Sequence, residues 1–372
     1  MMLDIDQSAQ GKGGFRDLKV VAKIVESSLI TSFHLEAADG SSLPTFRPGQ
    51  FLVFKIPSGD AKGYVLRNYS LSGTPEDLSH YRISVKREPS AGPSLPVGLS
   101  SNYLHDSVVV GDVMAAQGPR GEFVLDEVSD RPVVLLSGGV GLTPMVAMLH
   151  ALADRSARRT LFLHACENGE VHALRDEVIG LIGRRAGLSA HFCYRAPSAE
   201  DRAANRFHSE GFITRDLMQS LLCLDDYDFY LCGPPPFMQA MYLTLRGLGV
   251  AKDRIAYEFF GPATVLDTEV KPKPVAPTAG ASPVPAVRAI TVEFRKSGIV
   301  VEWDGAAQSL LSFAEDQGLA PEFSCRAGIC GTCTSRILSG DVSYFEDPLE
   351  DLAQGELLLC CSRPKTAIVL DL

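Results

Sequence analysis

The sequence predicts an α/β plus β chain of three folded units: an N-terminal antiparallel β-barrel, a doubly wound parallel α/β domain, and a small β-rich C-terminal unit. Three observations carry this. Short β-rich runs between Gly, Pro and Ser turns fill residues 16–125. Buried strand-like runs alternate with helical stretches over residues 132–264. Residues 268–287, TEVKPKPVAPTAGASPVPAV, then alternate proline with small or polar residues and keep no apolar period, which describes an extended, semi-stiff tether.

The barrel strands are expected at 19–25 (KVVAKIV), 51–56 (FLVFKI), 81–86 (YRISVK) and 112–116 (DVMAA). In the second unit, residues 132–137, 160–165 and 228–232 read as parallel strands, and 144–149 opens a helix. The 372 residues exceed what one core holds. The expected layout is a flexible N-terminus at 1–15, the barrel at 16–128, the α/β domain at 129–266, the Pro-rich linker at 267–288 and the last domain at 289–372.

A hydrophobic content of 45% and a charged content of 22% are ordinary for a globular protein. The net charge of −10, with no basic stripe, excludes a nucleic-acid partner. No apolar run reaches the length of a membrane span, and the first residues lack the pattern of a signal peptide. Nine cysteines without a secretory start point to a reducing compartment, so the expectation is a cytoplasmic monomer with no membrane partner.

Three of those cysteines, Cys325, Cys330 and Cys333, are spaced C-x4-C-x2-C, the plant-type pattern for a [2Fe–2S] cluster whose fourth thiolate comes from further along the chain. A structural zinc site would use a different spacing or histidines, and no histidine follows His208. Gly328 and Gly331 let the backbone curl around a cluster with its N–H groups aimed at sulfur. The fourth ligand is Cys360 or its neighbour Cys361. On an extended segment only one of the two faces the cluster.

The turn GGVGLTP at 138–144 directly follows the first parallel strand. Gly139 and Gly141 permit a tight turn and close approach of backbone to a pyrophosphate. Leu142, Thr143 and Pro144 would open the helix, with Pro144 first and Thr143 as N-cap, so that free N–H groups meet the phosphates. A second turn, Cys232-Gly233-Pro234, ends another strand of the same sheet, at the carboxyl edge where ligands bind. Arg67, Asn68, Tyr69 and Ser70 place a cation, a flat aromatic and a hydroxyl on one barrel strand: Tyr69 can stack on a ring, Ser70 can donate to a ring nitrogen, and Arg67 can pair with phosphate.

The order of RNYSLS, GGVGLTP and CGPPPFM resembles the ferredoxin–NADP reductase superfamily. SNYLHD at 101–106, GPRGEF at 118–123 and YEFFGP at 257–262 bring residues 16–264 closer still to the reductase part of flavohaemoglobins. From about residue 289 the chain is similar to plant-type ferredoxins of β-grasp fold, with Cys360, ahead of Arg363-Pro364, at the last ligand position. The whole order resembles single-chain reductases that feed Rieske-type oxygenases and hybrid-cluster proteins.

The resemblance implies FAD rather than FMN, and assigns it Arg67, Tyr69 and Ser70, with Ser84, Val85 and Lys86 beside the ribityl chain or diphosphate. It places Ser101 and its neighbour Asn102 near the diphosphate, and Glu258, Phe259 and Phe260 over the isoalloxazine. With no room for a globin before the barrel, it implies no haem and no nitric-oxide dioxygenase activity in cis.

The expected route runs from NADH through FAD and the cluster to a separate redox protein, a Rieske-type terminal oxygenase component. A hybrid-cluster or other redox protein is the alternative acceptor, and a redox-sensing or carrier role the alternative of another class. Ser70 and Glu258 are the expected groups at flavin N5, Cys232 is expected to seat the nicotinamide carboxamide, and Arg326 is expected to raise the cluster potential. Glu167 and Glu170 argue for NADH over NADPH, while Arg195 and Arg202 argue the other way. From residue 289 onward thirteen acidic residues face six basic ones, a net −7, which suits steering toward a basic partner.

Overall fold

Apolar side chains that alternate along short strands must share one interior, and here they close a barrel. The computed structural model describes residues 14–59, 63–88, 99–260, 290–303, 305, 307–323, 326, 328–329 and 331–372. The barrel strands are β1 (Arg16–Val25), β2 (Ile30–Ala37), β3 (Phe51–Pro57), β4 (Tyr64–Ser70), β5 (Tyr81–Lys86) and β6 (Val113–Arg120), with helix α1 (Leu99–Asp106) between the last two. They run in the order β4-β3-β6-β1-β2-β5, every pairing antiparallel. Leu71, one residue past β4, bridges Ile83 of β5 and closes the sheet on itself. Leu18, Phe33, Leu35, Leu52, Phe54 and Ile83 fill the interior, each contributing about 1.5–3 kcal/mol by its burial.

The next unit is a parallel sheet of β7 (Val133–Gly138), β8 (Thr160–Cys166), β9 (Leu188–Tyr194), β10 (Ser209–Glu210), β11 (Asp228–Gly233) and β12 (Ile255–Phe259), ordered β10-β9-β8-β7-β11-β12. Helices α2 (Leu142–Arg155), α3 (Arg175–Ile182), α4 (Ala199–Ala203), α5 (Arg215–Leu221) and α6 (Pro235–Gly247) connect them. Val133 to Leu136 are at most 1% exposed, as a strand covered on both faces must be. Strand order reverses between β7 and β11, so the turns that follow these two strands sit at the switch point where such sheets take their ligands.

One sequence expectation fails locally. Pro144 does not open α2 and Thr143 does not cap it. The helix begins at Leu142 with Gly141 as N-cap, and Thr143 Oγ1 donates to the Val140 carbonyl at 3.1 Å. A 3₁₀ turn over Gly139–Gly141 runs straight into the helix, so Thr143 already has helical backbone on both sides.

Barrel and parallel sheet form one compact unit that ends at Phe260, and the rest of the chain forms a second. Within the first, Ala147 of α2 belongs to the barrel core, while Ile30, Phe123 and Leu125 of the barrel region belong to the core under the parallel sheet. Helix α2 is therefore the seam between the two halves.

The second unit is a β-grasp. Its strands are β13 (Ile290–Phe294), β14 (Ile299–Trp303), β15 (Thr334–Ser339), β16 (Val342–Tyr344), β17 (Glu356–Leu358), β18 (Ser362–Pro364) and β19 (Ile368–Leu370). Five of them run in the order β14-β13-β19-β15-β17, and β16 pairs with β18. Helix α7 (Leu310–Asp316), whose N-cap Ser309 accepts from Ser312 N, buries Leu310, Leu311, Phe313 and Ala314. Residues 1–13, the tether at 267–288, Cys325 and Cys330 lie outside the described residues. Among the described residues no helix is long and apolar enough to cross a membrane.

Candidate functional site

The two turns at the switch point are built against each other. Gly139 has a positive φ of 53°, which turns the chain from β7 into the 3₁₀ turn. A Cβ on Gly141 would stand 2.2 Å from the Cys232 carbonyl oxygen. Cβ atoms on Gly138 and Gly233 would stand 2.9 and 2.6 Å from the Phe237 ring. Only bare backbone fits where the loops after β7 and β11 approach, and the N-termini of α2 and α6 open beside them. The N–H groups of the Gly139–Gly141 turn at the start of α2 fit a pyrophosphate, while the prolines that open α6 donate none. Pro234 is the N-cap of α6 and Pro235 its first residue.

Cys232 pairs in register with Ser137 on one side and Glu258 on the other. The Cys232 thiol is fully buried, and burial first and the Glu258 charge second push its pKa well up, so it stands as a neutral thiol. Phe259 follows on β12, 8% exposed, and Phe260 lies just beyond the strand, 38% exposed. Beneath the turn lies a polar chain that no motif announced. Ser137 Oγ lies 2.9 Å from His164 Nδ1, the His164 and His172 rings lie 4.6 Å apart and tilted by 33°, and His172 Nδ1 lies 2.8 Å from Tyr194 Oη. Histidines on one strand and in a later loop carry no local sign that they will meet.

On the barrel, β4 presents Arg67 and Tyr69 on one face and Asn68 and Ser70 on the other. Tyr69 packs 5.9 Å from the Phe54 ring, and burial raises its phenol pKa. Arg67 is exposed and donates to the Leu66 carbonyl, which leaves its charge available to an anion. Ser70 is 6% exposed. This set fits a stacked ring with a phosphate beyond it. The trio on β5 is more divided. Ser84 Oγ is held by Ser32 Oγ at 2.7 Å and Ser72 Oγ at 2.8 Å, and Val85 lies in the core, so neither side chain is free for a ligand. Lys86 faces out beside Glu88 at 3.0 Å. Ser101 Oγ accepts from Glu88 N at 3.1 Å, and Asn102 Nδ2 donates to the Glu88 carbonyl at 2.9 Å, which brings α1 and the end of β5 together.

Near the expected ribose end, both cations that could welcome an extra phosphate are engaged. Arg195 holds Glu167 through two bonds of 2.6 and 3.0 Å, and Arg202 holds Glu210 at 2.6 and 2.9 Å.

In the second unit, Cys333 and Cys360 are 3% and 2% exposed. Leu359 N donates to the Cys333 carbonyl at 3.2 Å and Gly328 N donates to Cys360 Sγ at 3.3 Å. Cys360 and Cys361 sit in a 3₁₀ turn rather than an extended segment, so both sulfurs lie on the inner side. Cys361 Sγ reaches toward the Leu358 carbonyl and walls the space beside Gly328, whose φ is +69°. Paired buried sulfurs with an amide N–H aimed at one of them fit a thiolate-held iron site. Arg326 stacks on Phe323 at 3.8 Å and is held by Glu315 at 2.5 and 3.1 Å. That carboxylate offsets the cationic charge on which a raised cluster potential was expected to rest.

Three family models match: an oxidoreductase FAD-binding domain at residues 17–125, an oxidoreductase NAD-binding domain at 135–242, and a 2Fe-2S iron-sulfur cluster binding domain at 292–365. A flavohemoprotein of Bacillus thuringiensis subsp. konkukian is 41% identical over 265 residues, 70% of this chain and 65% of that protein, so the chain matches just under two thirds of this relative's length. The solved flavohem-like FAD/NAD-binding domain of the nitric oxide dioxygenase from Vibrio cholerae O1 biovar El Tor is 38% identical, with a TM-score of 0.59, and covers 67% of this chain and 99% of itself. Phthalate dioxygenase reductase, described as a modular structure for electron transfer from pyridine nucleotides to [2Fe-2S], is 26% identical with a TM-score of 0.55, over 96% of this chain and 98% of that one. The chain thus belongs to the ferredoxin–NADP reductase superfamily, as an FAD- and NAD-binding oxidoreductase of flavohaemoglobin type joined to a plant-type [2Fe–2S] ferredoxin domain.

Proposed function

We propose that this chain is the reductase component of a two-component oxygenase, taking electrons from NADH and passing them singly to a Rieske-type terminal oxygenase on another polypeptide. The observation that carries the reading is the end-to-end match to phthalate dioxygenase reductase, which extends over 96% of this chain and 98% of that one. When bound, the flavin supplies the conversion of a hydride pair into single electrons, and the cluster supplies a one-electron relay.

The residues divide the work. Gly139, Gly141 and the start of α2 bind the pyrophosphate of the nicotinamide, and Cys232, Gly233 and Pro234 seat its ring end. The neutral Cys232 thiol offers a weak donor to a carboxamide without adding a charge beside Glu258. Tyr69 orients the flavin ring, Ser70 offers a hydrogen bond at N5, and Arg67 pairs with phosphate. Glu258 exchanges the proton at N5, and Phe259 and Phe260 exclude water over the ring. Cys325, Cys330, Cys333 and Cys360 would hold the irons; the Gly328 N–H on its sulfur favours Cys360 over Cys361. The pairing of Arg195 with Glu167 supports NADH as donor.

A second acceptor, a hybrid-cluster or other redox protein, is favoured by one observation. The flavin and nicotinamide half is 38% identical to the flavohem-like domain, while the whole chain is 26% identical to the oxygenase reductase, so its likeness is not confined to reductases that serve oxygenases. The test is anaerobic NADH reduction followed by addition of each candidate acceptor. Cys330→Ser should abolish rapid acceptor and cytochrome c reduction while flavin reduction continues. Unimpaired electron delivery by that variant, or flavin inert to NADH in the native protein, would overturn the reading.

A further inference from the structure

Barrel and parallel sheet meet mainly through apolar surface at α2. Ala147 sits in the barrel core, and Met148 Cε approaches so close to Gly49 that a Cβ there would lie 2.7 Å from it. Apolar contact resists separation but is non-directional, so it does not by itself fix the angle between the two halves. Directional links cross the seam as well: Ser28 N and Oγ donate to the Glu170 carbonyl at 3.1 and 3.2 Å, and Arg155 of α2 pairs with Glu76 at 3.0 Å. Among the described residues the ion pair there that is most shielded from water is at Arg82. Arg82 of β5 holds Glu177 of α3 in a two-bond fork, Nη1 to Oε2 at 2.7 Å and Nη2 to Oε1 at 2.8 Å. Glu177 Oε1 also lies 2.6 Å from His150 Nε2 on α2. The Arg82 and His150 side chains are each 11% exposed and that of Glu177 25%.

The link continues on both sides into the candidate site. Arg82 Nε donates to Ser72 Oγ at 3.2 Å, and Arg82 Nη2 also reaches the Ser72 carbonyl. Ser72 lies two residues after Ser70, the group expected at flavin N5, and its hydroxyl meets Ser84 on the strand that carries Lys86. His150 lies on the helix whose first turn grows out of Gly139–Gly141. The path runs from the flavin strand through Ser72, Arg82, Glu177 and His150 to the nicotinamide turn. His34, in register with Arg82 on β2, also faces this cluster, and the His80 ring, paired with Asp77 at 3.0 Å, lies 4.8 Å from His34.

We propose that Arg82 and Glu177 are positioning residues that set the angle of the nicotinamide-binding sheet against the flavin strand, and so the approach of the nicotinamide ring to the flavin. Neither touches a reacting atom. A guanidinium fork on a carboxylate is planar and fixes orientation as well as distance, which suits the task. Hydride transfer is steep in that geometry, since a displacement of about 1 Å can cost about a hundredfold in rate. The proposal rests on NADH reducing the bound flavin.

The test is rapid-mixing anaerobic flavin reduction by saturating NADH in the full-length holoprotein. Glu177→Gln keeps the shape of the side chain and removes its charge. It should slow reduction about tenfold or more and weaken the long-wavelength charge-transfer band of the nicotinamide–flavin stack, with flavin content and cluster absorbance unchanged and a lower Tm, because Arg82 keeps its charge and loses its partner. Arg82→Lys keeps the charge but loses the fork and should fall between native and Glu177→Gln. If Glu177→Gln does not fold, His150→Gln, which leaves the ion pair whole, should slow reduction about twofold to threefold. Native rates per bound flavin in the folded variants would overturn the proposal, as would a loss that merely tracks flavin loss. Native protein unreduced by NADH would instead sink the functional reading beneath it.

Discussion

Cys232 and Glu258 stand side by side, Cα partners on the parallel strands β11 and β12, with a fully buried thiol next to a carboxylate. The pairing keeps the thiol protonated, because a thiolate there would be desolvated and repelled at once. It leaves a neutral donor beside a carboxyl group at this edge of the sheet.

Glu258→Gln removes the charge and the proton-accepting oxygen while keeping volume. Flavin reduction by NADH should slow about a hundredfold, with the cluster spectrum unchanged, as read by anaerobic rapid mixing at two wavelengths. An unaltered rate would remove Glu258 from proton handling.

Cys232 should resist alkylation. A buried, neutral thiol is a poor nucleophile, whereas Cys223 is exposed. Iodoacetamide at about pH 8, where an ordinary thiol is partly ionised, should label Cys223 within minutes and leave Cys232 unmodified by peptide mass spectrometry. Equal labelling of both would contradict the burial.

Gly141→Ala should damage nicotinamide binding and little else. Its methyl group would meet the Cys232 carbonyl oxygen at 2.2 Å, so the two turns must part. The overpacking should cost about 1–3 kcal/mol and raise KM for NADH more than it lowers kcat. A normal KM would show that the turns tolerate separation.

The two neighbouring sulfurs separate by substitution. Cys360→Ser should lose the cluster, measured as iron, labile sulfide and visible absorbance, because Cys360 is the sulfur that takes the Gly328 N–H. Cys361→Ser should retain it, with lower stability from a hydroxyl placed in a fully buried site. The reverse pattern would move the fourth ligand to Cys361.

Acid should weaken the first unit early. Burial lowers His164 to about 3, and it also holds His172 well below the usual histidine value, with the His164 ring adding to the effect. Both folded values lie below the unfolded one, so as pH falls the unfolded chain takes up protons first. Stability is full above about pH 6.5 and declines toward about pH 3, by about 1.4 kcal/mol per unit for His164, and His172 adds a loss of the same sign. Denaturant midpoints at about pH 7 and pH 5 check this; His172→Gln should flatten the slope, and equal native midpoints would refute the assignment.

Motifs written in neighbouring residues were legible without coordinates. The C-x4-C-x2-C spacing, the GGVGLTP and CGPPPFM turns and the RNYS strand announce their chemistry because a turn or ligand loop is governed by sterics and spacing over a few residues. The sheet order was legible as a class, since a buried strand followed by a helix leaves few topologies. What tertiary structure alone decided lies between residues far apart in sequence. It set Cys232 opposite Glu258, turned the Ser84 hydroxyl to Ser32 and Ser72, offset Arg326 with Glu315, and brought Arg82 to Glu177 across 95 positions of chain. A carboxylate carries no mark of the cation it will meet. That choice is made when strands register and helices pack, and those long-range contacts depend on the whole fold rather than on any local pattern.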